Sequence, residues 1–197
     1  MIWLKNSRAF KSVRQVKYII WTSLTIFLLT HSKLVMAVDG LMLSYGHGMN
    51  DALIQNQNIS GASHQSIGLF WGSEYHFDHE WFGYSELEFE AYYSQIKLEQ
   101  TRQIIAFRPI LNFWGNKNQR RNWYWQFGVG ISYFDDKQFM PVTLSTKGQF
   151  ATMFGIGIPF NQQQNRLTLR YNHYSNAYLK KPNPGLDTIS LDWHVSF

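Results

Sequence analysis

The chain has 197 residues, no cysteine, 18 Lys+Arg against 13 Asp+Glu, and a 17% share of Phe, Trp and Tyr. The missing cysteine excludes disulfides and thiol chemistry. Six of the basic residues and no acidic ones precede Val38, which leaves 12 against 13 for the rest, so the overall basic balance does not argue for a nucleic-acid partner.

The first segment reads as an export signal. Lys5, Arg8, Lys11, Arg14 and Lys17 form a basic region, Tyr18 to Leu29 an apolar core, and Val35-Met36-Ala37 a small-residue cleavage site. The core is about a dozen residues, short of the roughly 20 that span a bilayer. A signal peptide over 1–37 and an exported domain over 38–197 are therefore predicted, with an uncleaved anchor as the alternative. No later stretch is apolar enough for a transmembrane helix. Export without cysteine fits a bacterial envelope protein.

Eight runs of alternating pattern follow, separated by turn-like segments. They cover about Val38–Gly48, Ala62–Phe77, Phe82–Leu98, Thr101–Trp114, Asn122–Phe134, Lys147–Phe160, Arg166–Ser175 and Leu186–Phe197. In the third, Leu87, Phe89, Ala91 and Tyr93 oppose Glu86, Glu88 and Glu90. In the fifth, Trp125, Phe127, Val129, Ile131 and Tyr133 oppose Gln126, Gly128, Gly130 and Ser132. Each run reaches the roughly 9–11 residues a tilted strand needs to cross a bilayer. Strands in soluble sheets are mostly about 5–6 residues long. An even count of eight closes a small barrel without free edges. The predicted fold is thus all-β: an eight-stranded antiparallel transmembrane β-barrel of the bacterial outer membrane. The mean hydropathy of −0.30 fits, because half of each strand faces the lumen. Aromatic girdles at the membrane interfaces account for the aromatic share, and the final Phe197 resembles the C-terminal signature of outer-membrane barrels. A soluble barrel with its apolar face turned inward is the competing architecture.

Three like charges in a narrow lumen repel unless neutralised. Arg102, Arg108 and Arg170 have inward parity, which predicts a salt-bridged plug with Glu86, Glu88 and Glu90, and Glu88 near Arg108. The sequence His76-Phe77-Asp78-His79 reads as an exposed turn rather than a metal site.

The last two runs carry a polar trio on the wrong face. Leu167, Leu169, Tyr171, His173 and Ser175 share one parity, and Asp187 shares that of Ile189, Leu191, Trp193 and Val195. A hairpin turning around Lys180 sets His173 opposite Asp187. In a membrane barrel the trio then faces lipid, where uncompensated polar groups cost several kcal/mol each. Ser175 is the candidate nucleophile, His173 the base and then acid, and Asp187 the group that fixes the imidazole tautomer. With the C-terminal end of the eighth strand on the periplasmic side, the trio falls in the outer leaflet.

The run His173-Tyr174-Ser175-Asn176-Ala177, then Leu179-Lys180, then Pro182-Asn183-Pro184-Gly185 and a closing strand resembles the outer-membrane lipid A 3-O-deacylases, the PagL family. That resemblance implies an eight-stranded barrel with a Ser-His-acid triad on its outer surface. It implies a serine esterase that removes the ester-linked acyl chain at position 3 of lipid A in lipopolysaccharide, without cofactor or metal. The family's acid is a Glu 14 residues after the His, where this chain has Asp187. Asn176 matches an Asn proposed for the oxyanion hole. The family's Gly two residues later is Tyr178 here. Tyr tolerates a left-handed backbone poorly, so a weakened oxyanion donor is expected at that point. Lys180 and Lys181 can meet lipid A phosphates by charge. Lipopolysaccharide and outer-membrane lipids are the expected partners, and a homodimer is left open. Two alternatives stand beside this reading: a non-enzymatic outer-membrane barrel with a structural or adhesive role, and another lipid-processing enzyme such as a phospholipase or acyltransferase.

Overall fold

The computed structural model describes residues 38–50, 58–115, 122–139, 142–162 and 164–197. The expected signal segment, residues 1–37, lies outside them.

The described residues hold ten strands: β1 Gly40–Gly48, β2 Ser63–His79, β3 Gly83–Lys97, β4 Thr101–Trp114, β5 Tyr124–Phe134, β6 Gln138–Phe139, β7 Val142–Thr143, β8 Gly148–Phe160, β9 Asn165–Ser175 and β10 Leu186–Ser196. Eight of them close an antiparallel barrel in the order β1-β10-β9-β8-β5-β4-β3-β2, and β6 and β7 form a small separate hairpin. The eight barrel strands are the eight runs of the sequence, with no end displaced by more than two residues. Closure leaves no strand edge unpaired, as a lipid environment demands. The β6–β7 hairpin, which carries no alternating run of useful length, was not anticipated.

Side chains on the outside alternate with those inside. The outer wall is a band of exposed aliphatic residues that includes Leu69, Ile105, Ile131 (65% exposed), Ile156, Leu169 and Leu191. Aromatic residues stand toward both rims. Tyr45, Tyr93 and Tyr133 lie toward one, and Trp81 (85% exposed), Phe82 and Trp123 lie at the other. An apolar wall bordered by aromatic girdles is the surface of a membrane-spanning barrel, not of a soluble one.

The lumen is filled and ionic. Glu90 receives Arg108 Nη2 at 2.8 Å and Arg170 Nη1 at 2.7 Å, Arg170 also meets Asp192 at 3.0 Å, and Arg166 meets Glu88 at 2.7 Å. The salt-bridged plug is therefore real, with different partners from those expected. Glu88 pairs with Arg166 rather than Arg108. Arg102 stays out of the plug; near the rim its guanidinium bonds the Gln138 carbonyl, the Thr101 carbonyl and Gln100 Oε1. Parity decides inside or outside, but the height of a residue depends on the barrel's shear, which strand pattern alone does not reveal. Space for the guanidiniums comes from small inward residues. A Cβ at Gly130 would stand 2.1 Å from the Phe107 carbonyl and 2.8 Å from Arg108 Cβ.

Above the plug, toward the rim where β9 ends, the lumen turns apolar. Ile96, Ile104, Phe134, Leu144, Tyr174 and Leu186 belong to one buried cluster there. Tyr174 packs edge-on against Phe134 at 5.6 Å and shares a hydrogen bond of 3.1 Å with Tyr92. These residues anchor the end of β9 and the start of β10 from behind.

Candidate active site

The site stands on the outer wall where β9 ends and β10 begins. The two strands pair with Asp187 directly opposite His173, the register expected from a turn around Lys180. His173 Nδ1 lies 2.6 Å from Asp187 Oδ1. A carboxylate can only accept, so the shared proton sits on Nδ1 and leaves Nε2 to act as a base. Asp187 is fully buried and His173 is 7% exposed, so the pair is shielded from water. The expectation that three polar groups share the outward face holds, but they are sunk into the wall rather than displayed on it.

Ser175 follows two residues after His173 on the same face and is 9% exposed. No hydrogen bond joins its Oγ to the imidazole among the described residues. The structure thus brings together the candidate base and the candidate acid and sets the candidate nucleophile's hydroxyl one pleat away. Across β8, Thr152 pairs with His173 and Phe150 with Ser175.

The loop after Ser175 is tightly organised. Asn176 N donates to Asn183 Oδ1 at 2.9 Å. The Asn176 side-chain amide donates to Ser145 Oγ and, at 2.8 Å, to the Lys180 carbonyl, while Asn176 Oδ1 is buried without a partner. Ser145, on the β7–β8 connection, in turn donates to the Lys180 carbonyl at 3.2 Å. Ser145 was not singled out from the sequence, and Asn183 entered only as part of the motif, without a role. Ser145 is 31 residues from its partner, and no periodicity points to it.

Ala177 and Tyr178 both take positive φ, 49° and 60°, and Leu179 N closes the turn onto the Asn176 carbonyl at 3.0 Å. Two consecutive left-handed residues closed in this way make a type I′ turn. Tyr178 therefore adopts the left-handed backbone that its side chain was expected to disfavour. The cost of a non-Gly residue in that region is roughly 1–2 kcal/mol. The Ala177 and Tyr178 N–H groups donate no hydrogen bond among the described residues. Lys180 and Lys181 lie exposed on the same loop. His76–His79 are exposed at the opposite rim, and no group of three potential metal ligands exists among the described residues.

Beside the loop runs an apolar groove of about 700 Å³ on the outer wall of β4, β5 and β8, bounded at the rim by Thr146, Asn176 and Leu179.

A lipid A deacylase PagL of Bordetella bronchiseptica (strain RB50) is 33% identical over 89 residues, 45% of this chain and 47% of that protein. The lipid A deacylase PagL of Pseudomonas aeruginosa (strain PAO1) is 32% identical over 68 residues, 34% of this chain and 39% of that protein. The chain thus spans under half the length of these curated relatives. The crystal structure of the outer membrane enzyme PagL superposes with a TM-score of 0.65 at 20% identity, over 80% of this chain and 99% of that one, which establishes the shared barrel. The family model for lipid A 3-O-deacylase (PagL) matches residues 65–196, most of the barrel and the whole of the site, and the chain belongs to that family.

Proposed function

We propose that this protein is a serine esterase of the bacterial outer membrane that hydrolyses the acyl ester at position 3 of lipid A. The observation that carries the reading is the His173–Asp187 pair at 2.6 Å on the lipid-facing wall, one pleat from Ser175. Nothing in a structural barrel requires a shielded acid–imidazole pair facing lipid, whereas ester hydrolysis at a membrane surface does.

The steps follow from the geometry. Ser175 Oγ attacks the ester carbonyl carbon while His173 Nε2 takes its proton, and Asp187 holds the resulting imidazolium. The tetrahedral intermediate collapses by breaking the carbon–oxygen bond to the sugar, and His173 returns the proton to the departing sugar hydroxyl. Water, activated by the same imidazole, then cleaves the Ser175 ester and releases the fatty acid. The Ser175–His173 hydrogen bond closes when substrate is bound, since such bonds are often long in the free enzyme.

The developing oxyanion needs donors near Ser175. The backbone N–H groups of Ala177 and Tyr178 donate no hydrogen bond among the described residues and follow Ser175 by two and three positions, and they take this role. Asn176, the side chain expected to serve the oxyanion, spends both amide hydrogens on Ser145 and the Lys180 carbonyl. It acts as the residue that sets the turn, and donates to the oxyanion only on releasing Ser145. Lys180 and Lys181 present positive charge to the phosphates of lipid A. Residues 1–37 serve as a cleaved export signal. The site rim faces outward: three of its connections, Gly48 to Ser63, Phe134 to Gly148 and Ser175 to Leu186, are long, while at the other rim Trp114 to Tyr124 is long and His79 to Gly83 and Phe160 to Asn165 are tight turns. Outer-membrane barrels carry their long loops outside.

One observation favours the non-enzymatic alternative, namely the open Ser175–His173 contact. Incubating the purified protein with lipopolysaccharide in mixed detergent micelles decides between them. Release of one fatty acid, with the position-3 hydroxyl of lipid A freed, is the expected result. No product, or hydrolysis of phospholipid instead, contradicts the reading.

A further inference from the structure

Toward the rim opposite Ser175, the lumen holds a cavity of about 400 Å³. It borders the ionic plug at Glu88 and Arg166, and Phe70 and Trp114 are among its walls. Asp39, just before β1, and Ser196, the last residue of β10, line it at the rim. It shares no residue with the outer-wall site and stands independently of the deacylase reading.

Two residues of this cavity each carry a buried polar atom without a hydrogen-bond partner among the described residues. Glu88 is 7% exposed; its Oε2 accepts from Arg166 Nη2 at 2.7 Å, and its Oε1 accepts from nothing. Trp114 is 5% exposed, and its Nε1 donates to nothing. Buried polar atoms of both kinds are costly to leave unpaired, so each one asks for a partner. A single molecule that donates at Glu88 and accepts at Trp114 satisfies both.

Charge narrows the choice. Among the described lining residues, Asp39, Glu86 and Glu88 stand against one cation, Arg166. Arg166 is already committed to Glu88 Oε2, with its guanidinium 4.9 Å from the centre of the Phe70 ring. The lining is therefore negative in excess and suits a cation. A calcium ion takes six to eight oxygens, and no group of three potential metal ligands exists among the described residues. A primary ammonium is less demanding: one N–H on a carboxylate oxygen, with aromatic rings close by, is a favourable setting for it. The cavity lies inside the ring of strands, out of reach of the surrounding lipid, so its ligand is a soluble molecule. We propose that this cavity binds a small primary amine that carries an oxygen acceptor, such as an amino alcohol, entering from the periplasmic side. The ammonium donates to Glu88 Oε1, and the ligand oxygen accepts from Trp114 Nε1.

The test is isothermal titration of the folded protein in maltoside micelles, at constant ionic strength, with three probes. Ethanolamine carries both the ammonium and the oxygen. Propylamine has the same size and charge but no oxygen, and choline keeps the hydroxyl but has no N–H on its cation. Ethanolamine should saturate with a Kd on the order of 1 mM, as befits so small a ligand. Propylamine should bind about ten-fold more weakly, the size of one lost hydrogen bond, and choline should give no saturable heat. Glu88→Gln should weaken ethanolamine by about ten-fold or more, because it removes the charged acceptor. Trp114→Phe should bind propylamine as the wild type does and lose the preference for ethanolamine. Heat-modifiable migration on gels checks that each variant is folded; should Glu88→Gln not fold, Trp114→Phe and the three probes on the wild type still decide. The proposal is overturned if ethanolamine gives no saturable binding, if choline matches it, or if folded Trp114→Phe keeps the full preference. In each of those cases water serves Glu88 Oε1 and Trp114 Nε1, and the cavity selects no amine.

Discussion

The same two strands hold one polar cluster inside the barrel and another outside it, and the two are built differently. Inside, Arg170 and Asn172 of β9 and Asp192 of β10 join Glu90, Arg108, Arg166 and Glu88 in a network where three guanidiniums meet three carboxylates. Outside, His173 and Asp187 form one bond, and Ser175 stands by with its hydroxyl uncommitted to the ring. The inner cluster is balanced in charge and closed to solvent, the economy of a structural plug. The outer cluster keeps a basic nitrogen and a hydroxyl in reserve, which is what a reaction needs and what stability alone would not retain. Burial is similar for the two; what differs is that each charge inside meets an opposite charge, whereas outside the Ser175 hydroxyl bonds neither ring nitrogen of His173 among the described residues.

Mutations should therefore separate by cluster. The largest effect is expected from His173→Asn, a loss on the order of 10⁶-fold in turnover with the barrel intact, as for the base of other serine hydrolases. Deacylation rate and heat-modifiable migration on gels, measured on the same sample, check both halves. Asp187→Ala should cost less, on the order of 10⁴-fold, since the acid orients the imidazole and exchanges no proton with substrate. Asp187→Glu should keep activity without gain, because the shorter acid already reaches the ring at 2.6 Å.

Inside, the effect should move to stability. Glu90→Gln leaves Arg108 and Arg170 short of charge and should cost about 3–5 kcal/mol in denaturant unfolding from detergent, with the rate per folded molecule unchanged. Glu88→Gln should cost less, since Glu88 has one arginine partner and its Oε1 is already without a hydrogen bond. Equal costs would mean the plug is not centred on Glu90.

The smallest effect concerns the turn between the clusters. Tyr178→Gly relieves a left-handed tyrosine and should stabilise the folded barrel by roughly 1 kcal/mol. The turn is already formed with φ 60°, so the deacylation rate should change little. A rise of the 10²–10³-fold size that a restored oxyanion donor produces would show that Tyr178 withholds its N–H in the native enzyme.

Much of this was legible in the sequence, for reasons of geometry. Alternation has a period of two, so each strand declared its lipid face, and the fourth strand, Thr101–Trp114, has the expected ends. A hairpin register follows from where it turns, so the His173–Asp187 pairing could be read from two positions and a loop centre. Height in the lumen could not be read, because it comes from the stagger of a closed barrel. That is why Arg108 was placed beside Glu88 and Arg102 in the plug. The role of Ser145 was equally hidden, since it depends on a loop folding back over a distant strand end. Tyr178 misled for a different reason. The propensity of Tyr against positive φ is real, but it is overridden by the Asn176 bonds that fix both ends of the turn.

The central claim is that the outward cluster does chemistry on lipid A through Ser175. Mass spectrometry of lipid A from cells expressing the wild-type protein and Ser175→Ala, at matched levels of folded barrel, tests it directly. The account predicts lipid A lacking the 3-linked acyl chain with the wild type and unmodified lipid A with the variant. Deacylated lipid A in cells carrying folded Ser175→Ala would contradict it.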